Sequence, residues 1–165
     1  MMLCHPSVSD TMSDESLIEV TLEQTGEYEF RVRFDGTAMP DITTDENSPL
    51  GGDAGPNPSR LLAVAVANCL SASLLFALRK YKNTPGKLVT KAQAITERND
   101  HGRLRITRIN VEVQLADGMA SFEHAERALA QFEDFCIVTE SVRQGVSVDV
   151  SVRDASGAVV HSSRV

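Results

Sequence analysis

The sequence predicts an α+β fold in which antiparallel sheets surround one long buried helix. Three observations carry this. Residues 61–78 form an apolar run closed off by Arg60 on one side and Arg79-Lys80 on the other. Segments of two-residue alternation flank the run, as strands with one buried face require. The resulting order of two strands, long helix, two strands, helix and strand lacks the regular alternation that a parallel βαβ sheet needs.

Residues 1–15 are rich in Ser, Asp and Met and are expected to form a disordered tail. Residues 16–165 are then a single domain, a size that one hydrophobic core supports. Residues 18–22 pair with Tyr28-Glu29-Phe30-Arg31-Val32-Arg33-Phe34 in a hairpin turned at Gly26. The aromatics and Val32 take one face and Glu29, Arg31 and Arg33 the other. Residues 38–55, rich in Pro, Gly and Asp, read as a loop or a short edge strand. Asn57 suits a helix N-cap, and Pro58 suits the first helical position, where its missing N–H costs nothing. The long helix therefore begins there and runs to about Lys82, where Thr84-Pro85-Gly86 stops it.

Residues 87–98 and 104–115 read as two long strands joined at Asn99-Asp100-His101-Gly102, the second alternating through Ile109, Val111, Val113 and Leu115. Phe122, Ala125, Leu129 and Phe132 recur at helical spacing and predict a helix over 121–135, with Cys136 at its end. A short helix closed by Gly145 follows. Val146, Val148, Val150 and Val152 then mark a strand, and a turn at Ala155-Ser156-Gly157 leads to a last short one.

Composition excludes several function classes. The formal charge is −7, and the 16 Lys and Arg residues are spread thinly rather than gathered on one face. Nucleic acid is therefore not an expected partner. The apolar run approaches the ~20 residues of a bilayer span, but Asn68, Cys69, Ser71 and Ser73 interrupt it, so a buried helix is expected and no membrane association. No basic segment followed by an apolar core opens the chain, so no secretory signal is expected. Cys4, Cys69 and Cys136 make an odd count without CxxC or Cys/His clusters. Neither a secreted disulfide framework nor a metal site is indicated, no cofactor is implied, and a cytoplasmic location is expected. A helix apolar nearly all round needs more cover than one small chain supplies. Ala63, Ala67 and Ser71 recur at every fourth position and permit close backbone approach, so a homodimer burying part of this helix is expected.

Two internal thiols in structured settings can form a redox couple. A thiolate cleaves a peroxide O–O bond and becomes a sulfenic acid, which a second thiol condenses with to form a disulfide. The attacking thiol needs a pKa lowered from about 8.5. Cys69 lies about three turns into its helix, beyond the strong end of the dipole, and requires an arginine from elsewhere. Cys136, at a possible helix start, has the better local case. The residues alone leave the attacker open, and a buried free cysteine equally serves as a small hydrophobe. Cys4 lies in the tail. His5, His101, His124 and His161 are scattered and read as surface residues.

Gly55-Pro56-Asn57-Pro58, the Leu61-Leu62 pair, an Ala-rich turn, Cys69 eleven residues after Pro58 and a second cysteine after a later helix together resemble the OsmC/Ohr family of osmotically inducible and organic hydroperoxide resistance proteins. The resemblance extends roughly over residues 28–152. It implies an intertwined homodimer with sites at the subunit interface and, in active members, a thiol peroxidase without metal or haem that uses a peroxide substrate and a dithiol reductant. It also implies that Cys69 attacks and Cys136 resolves, with an arginine from the segment before the helix. Arg33 is the candidate taken for that role, and Arg31 and Arg60 stay open beside it. Two positions depart from the family pattern. Ser59 stands where Ohr-like members carry the Glu that holds the arginine, and Ile137 stands where Pro often follows the second cysteine. Asp45 and Glu46 are the acids that could replace the missing carboxylate. Two function classes follow: a cysteine peroxidase, or a non-catalytic stress protein that holds a hydrophobic ligand at the dimer interface.

Overall fold

The computed structural model describes residues 16–146, 148–153, 156 and 159–163. The tail expected over residues 1–15, with Cys4 and His5, lies outside the described residues, as do Ala155 and Gly157 of the last predicted turn. The chain forms two compact units, one ending at Asn57 and the other comprising Pro58–Val165.

The first unit is an antiparallel sheet of β1 (Val20–Gln24), β2 (Phe30–Phe34) and β3 (Ile42–Thr44) in that order. Leu22 pairs with Val32, and the turn closes with the Thr25 N–H donating to the Glu29 carbonyl at 2.9 Å. Val32 is buried while Arg31 and Arg33 are exposed, as the alternation requires. The segment over 38–55 supplies the short edge strand and then a loop organised by Asp45. That carboxylate is buried, and accepts from the amides of Glu46 at 2.8 Å, Gly52 at 2.8 Å and Ala54 at 3.1 Å. The Ala54 amide leads in holding its pKa below the usual carboxylate value, with those of Gly52 and Glu46 adding to it against burial.

A depressed folded-state pKa contributes stability that is present above the unfolded value and lost as pH falls through the folded one. The loop is therefore expected to loosen as pH drops below about 4. Asp45→Asn should weaken it already at neutral pH and flatten that acid dependence. Hydrogen exchange at the Gly52 and Ala54 amides across this range checks both, and an unchanged exchange profile in the variant would remove Asp45 from the account.

The second unit is built on α1 (Pro58–Lys80), which carries Arg79 and Lys80 in its last turn, where cations suit the helix dipole. A hairpin follows, β4 (Val89–Arg98) paired antiparallel with β5 (Leu104–Gln114). The Asn99 side-chain oxygen accepts from the amides of His101 and Arg103, and Gly102 takes φ +72° to complete the turn. Ala92 faces Val111 and Ala94 faces Ile109 across the ladder. The apolar face of this hairpin packs on α1, burying Val66, Leu70, Leu74, Ala77 and Leu78.

The cover on α1 is one-sided. Val64 and Phe76 remain 60% and 57% exposed, so the single chain leaves one side of this apolar helix open, as expected. The row of small residues does not mark the open face. Ser71 Oγ donates to the Ala67 carbonyl at 2.7 Å and lies 2.6 Å from Thr90 Oγ1, which aims that part of the row at β4. By length and composition α1 could cross a bilayer.

The helix predicted over 121–135 is broken into three pieces. A 3-10 turn at Met119–Ser121 comes first, then α2 (Ala125–Gln131), then a 3-10 turn at Glu133–Phe135. The cause lies 40 residues away in sequence. Asn83 Nδ2 donates to the Glu123 carbonyl at 2.9 Å while Asn83 Oδ1 accepts from the Glu123 N–H at 2.7 Å. With the backbone of Glu123 held there and His124 left-handed at φ 52°, α2 starts late and in a different phase. Ala128 is consequently the fully buried residue and Leu129 is 40% exposed.

The short helix α3 (Ile137–Gln144) ends at Gly145 as expected, with φ +73°. Of the valine-rich segment after it, only β6 (Val150–Arg153) is strand, paired with β7 (Val159–Ser163).

Candidate active site

Cys69 projects from α1 on the face that carries Val66, Leu70 and Ser73, because positions three and four apart share one side of a helix. It is half-buried. Cys136 arrives from the other direction. The 3-10 turn at Glu133–Phe135 ends as the Cys136 N–H donates to the Glu133 carbonyl at 2.9 Å, and the residue then takes the extended backbone of an N-cap. The residue is 0% exposed and forms a buried cluster with Val66 and Leu70, against which Cys69, Ile109, Val111, Phe132 and Val138 pack. Cys69 and Cys136 thus meet in one buried cluster as free thiols, and each shifts the other's pKa.

The two sulfurs differ in what surrounds them. Cys136 Sγ caps α3, accepting the Thr139 N–H at 3.4 Å and lying 2.9 Å from Thr139 Oγ1. Burial pushes this thiol up, but hydrogen bonding with Cys69, Thr139 and Ser73 outweighs it, leaving Cys136 below an ordinary thiol. Cys69 moves the other way. Burial raises it first and its hydrogen bond to Cys136 second, while the amides of Val138 and Thr139 pull against them. The two thiols are thus shifted in opposite directions.

A pocket of ≈ 540 Å³ shares Val66, Leu70, Ile109, Val111 and Phe132 with this cluster, although neither cysteine lines it. Leu62, Val66 and Leu70 of α1 form one wall and Ile109 and Val111 of β5 another, with Thr139 of α3 bringing its hydroxyl to the same space. Arg143 also lines it, ion-paired with Glu133 and, at 2.8 Å, with Glu140. Among the described residues no group of three or more His, Cys, Asp or Glu could hold a metal ion.

Arg31 on β2 is ion-paired with Glu23 and lies 3.8 Å from Asp41. Arg33, two residues on, is exposed and makes no ion pair among the described residues. Arg60 is exposed in the first turn of α1, beside a half-buried Ser59. Asp45 is no spare carboxylate, since both its oxygens are taken by loop amides. His101, His124 and His161 are exposed. Thr139 and Ser73 were not anticipated. The signal for Thr139 was its spacing, because a side chain three residues after an N-cap is the one that meets the cap.

Two thiols in one buried cluster under one long helix, with a pocket of aliphatic and charged walls adjoining that cluster, define an α+β protein organised around a cysteine pair. The model of the OsmC-like protein family matches residues 51–151, and the chain belongs to that family. No curated protein matches it by sequence. Its fold is that of an OsmC-like protein of unknown function from Vibrio cholerae, with 16% identity, a TM-score of 0.63, and coverage of 77% of this chain and 94% of that one. It is also that of the organic hydroperoxide resistance protein OhrB of Bacillus subtilis, with 19% identity, a TM-score of 0.58, and coverage of 78% and 91%. An OsmC-like protein from Mycoplasma pneumoniae matches at 17% identity and a TM-score of 0.61, over 81% and 91% of the two chains.

Proposed function

We propose that this protein is a thiol peroxidase that reduces organic hydroperoxides or hydrogen peroxide through Cys69 and Cys136. The packing of the two thiols in one buried cluster, which shares residues with a pocket of largely aliphatic walls, carries the reading. Cys69 sulfur attacks the outer peroxide oxygen, breaking the O–O bond and releasing an alkoxide that is protonated to the alcohol. The Cys136 sulfur then attacks the Cys69 sulfenic acid, forming the S–S bond and expelling water. An external dithiol restores both thiols by exchange. The pocket's aliphatic walls suit the carbon chain of an organic hydroperoxide better than they suit hydrogen peroxide. Such a couple works in a reducing compartment, which fits the cytoplasm.

Of the three arginines in question, Arg33 is the one this reading keeps, because Arg31 is committed to Glu23 and Asp41. Assembly as a homodimer is part of the proposal. It is supported by the uncovered Val64 and Phe76 on α1 and by the exposed valines of β6 and β7.

The test is consumption of an alkyl hydroperoxide with dithiothreitol or dihydrolipoamide as reductant. Cys69→Ser is expected to abolish turnover, and peroxide is expected to convert the wild type, but neither single cysteine variant, to an intramolecular disulfide. Wild-type protein that consumes no peroxide while binding an apolar dye in the pocket would favour the ligand-holding alternative.

A further inference from the structure

We propose that Arg143 is a clamp that keeps α3 closed over Cys136, and so decides which of the two thiols a reagent can reach. The clamp is read from the contacts around the cysteine. Glu133 stands before Cys136 in the chain and Arg143 after it, and one guanidinium spans the gap. Its Nη2 donates to Glu133 and its Nη1 to Glu140, the latter at 2.8 Å. The chain is thereby closed around Cys136, with the 3-10 turn over Glu133–Phe135 on one side and the last turn of α3 on the other. A guanidinium suits this double pairing because its donors are fixed in one planar fork. Among the described residues no other ion pair joins α3 to a neighbouring element.

A helix like α3 needs such a hold. It has 8 residues, well short of the ~12–15 at which an isolated helix becomes even marginally stable. Thr139 is its one buried residue, and Ile137 and Val142 are exposed, so apolar burial does little to keep it in place. The other walls around Cys136 are fixed. Val66 and Leu70 belong to α1, whose far half is packed in the main core, and Ile109 and Val111 belong to β5, which is laddered to β4. α3 is therefore the wall that gives way first. Its first turn covers the sulfur through Val138 and the Thr139 amide, while Arg143 pins its last turn.

Shielding of this kind sets the order of the chemistry. Cys136 has no exposed surface, while Cys69 is only half-buried, so with α3 closed a peroxide meets Cys69 alone. With α3 open, the Cys136 sulfur attacks the outer peroxide oxygen itself. The O–O bond breaks, the thiol proton goes to the departing alkoxide, and the sulfenic acid forms on the thiol that should have condensed. The clamp therefore adds to the peroxidase reading a reason for the division of labour between the cysteines. It does not depend on that reading, since any thiol reagent faces the same wall.

The test reads each thiol separately. Reduced full-length protein is treated with N-ethylmaleimide, and the peptides carrying Cys69 and Cys136 are quantified by mass spectrometry at early times, before a modified Cys69 disturbs its neighbour. In the wild type Cys136 should react about tenfold or more slowly than Cys69, because a buried thiol reacts only when its cover opens. Arg143→Gln should speed Cys136 about three- to tenfold, the range that two exposed ion pairs supply together, and leave Cys69 within about twofold. Arg143→Lys, a point charge without the fork, should fall between. Sodium chloride at about 0.5 M should speed Cys136 in the wild type and have little effect in Arg143→Gln, since salt screens exposed pairs. Low urea should scarcely change the Cys136 rate, because opening α3 exposes little surface. The proposal is overturned if Cys136 reacts as fast as Cys69 in the wild type, or if Arg143→Gln leaves the Cys136 rate unchanged or raises both rates equally. It is also overturned if the Cys136 rate climbs with urea as steeply as global unfolding, which means that the thiol is reached only when the whole unit melts. The peroxide assay described above decides the peroxidase reading independently of all four results.

Discussion

Leu78→Ala is expected to lower the unfolding free energy by about 2–5 kcal/mol, the range for deleting a large aliphatic side chain from a packed core. Leu78 is 0% exposed and sits with Leu74, Ala77 and Ala128, against which Val113, Leu115 and Phe132 pack. The site joins α1, β5 and α2, so a cavity there cannot be filled by moving one element alone. A domain's whole stability is about 5–15 kcal/mol, so the variant should be folded only marginally or not at all at physiological temperature. Urea unfolding of the wild type and variant measures the difference. Leu104→Ala, at a 57% exposed position on β5, is the control and should change stability by less than about 0.5 kcal/mol. If both variants lose the same small amount, this cluster is not the core that holds the second unit together.

Gly55→Ala should cost the first unit about 1–3 kcal/mol, the usual range for forcing atoms into filled space. A Cβ at Gly55 would stand 2.2 Å from the Thr43 carbonyl oxygen and 2.7 Å from its carbon. Both are backbone atoms of β3, so neither can swing aside as a side chain would. The strand and the loop must separate, and the amides of Gly52 and Ala54 should lose their protection from exchange as Asp45 is released. Gly52→Ala is the matched comparison, since its added carbon would meet nothing closer than Asp45 Oδ2 at 3.4 Å. Equal exchange in the two variants would show that the close approach at Gly55 is not what holds the loop.

Where local patterning decides structure, the sequence was legible. The alternation in β2 and β5, the polar turn at 99–102 and the Asn-Pro start of α1 each produce the expected element at nearly the expected residues. Where a distant side chain decides, it was not. Nothing near residue 123 announces that Asn83 will hold its backbone, so the periodicity of Phe122, Ala125, Leu129 and Phe132 suggested one continuous helix. Alternating valines likewise promised a longer strand than β6, because alternation marks a capacity for pairing and only a partner realises it. The meeting of Cys69 with Cys136 could be anticipated from the family resemblance. Their unequal ionisation could not, since it depends on Thr139 and Ser73 reaching one sulfur across two helices.

The cap of α3 is itself a redox-active atom, and that ties the electron balance of the protein to the order of a helix. For the couple proposed above, Cys136 in its reduced form caps the first turn of α3, and bonding that sulfur to Cys69 weakens it as an acceptor for that turn. Whatever steadies the dithiol state makes the disulfide a stronger oxidant, because reduction potential measures the free-energy gap between the two forms. The capping geometry therefore biases the oxidised protein toward surrendering its disulfide to an incoming dithiol. Looseness in α3 should rise as the pair loses electrons and fall as it regains them.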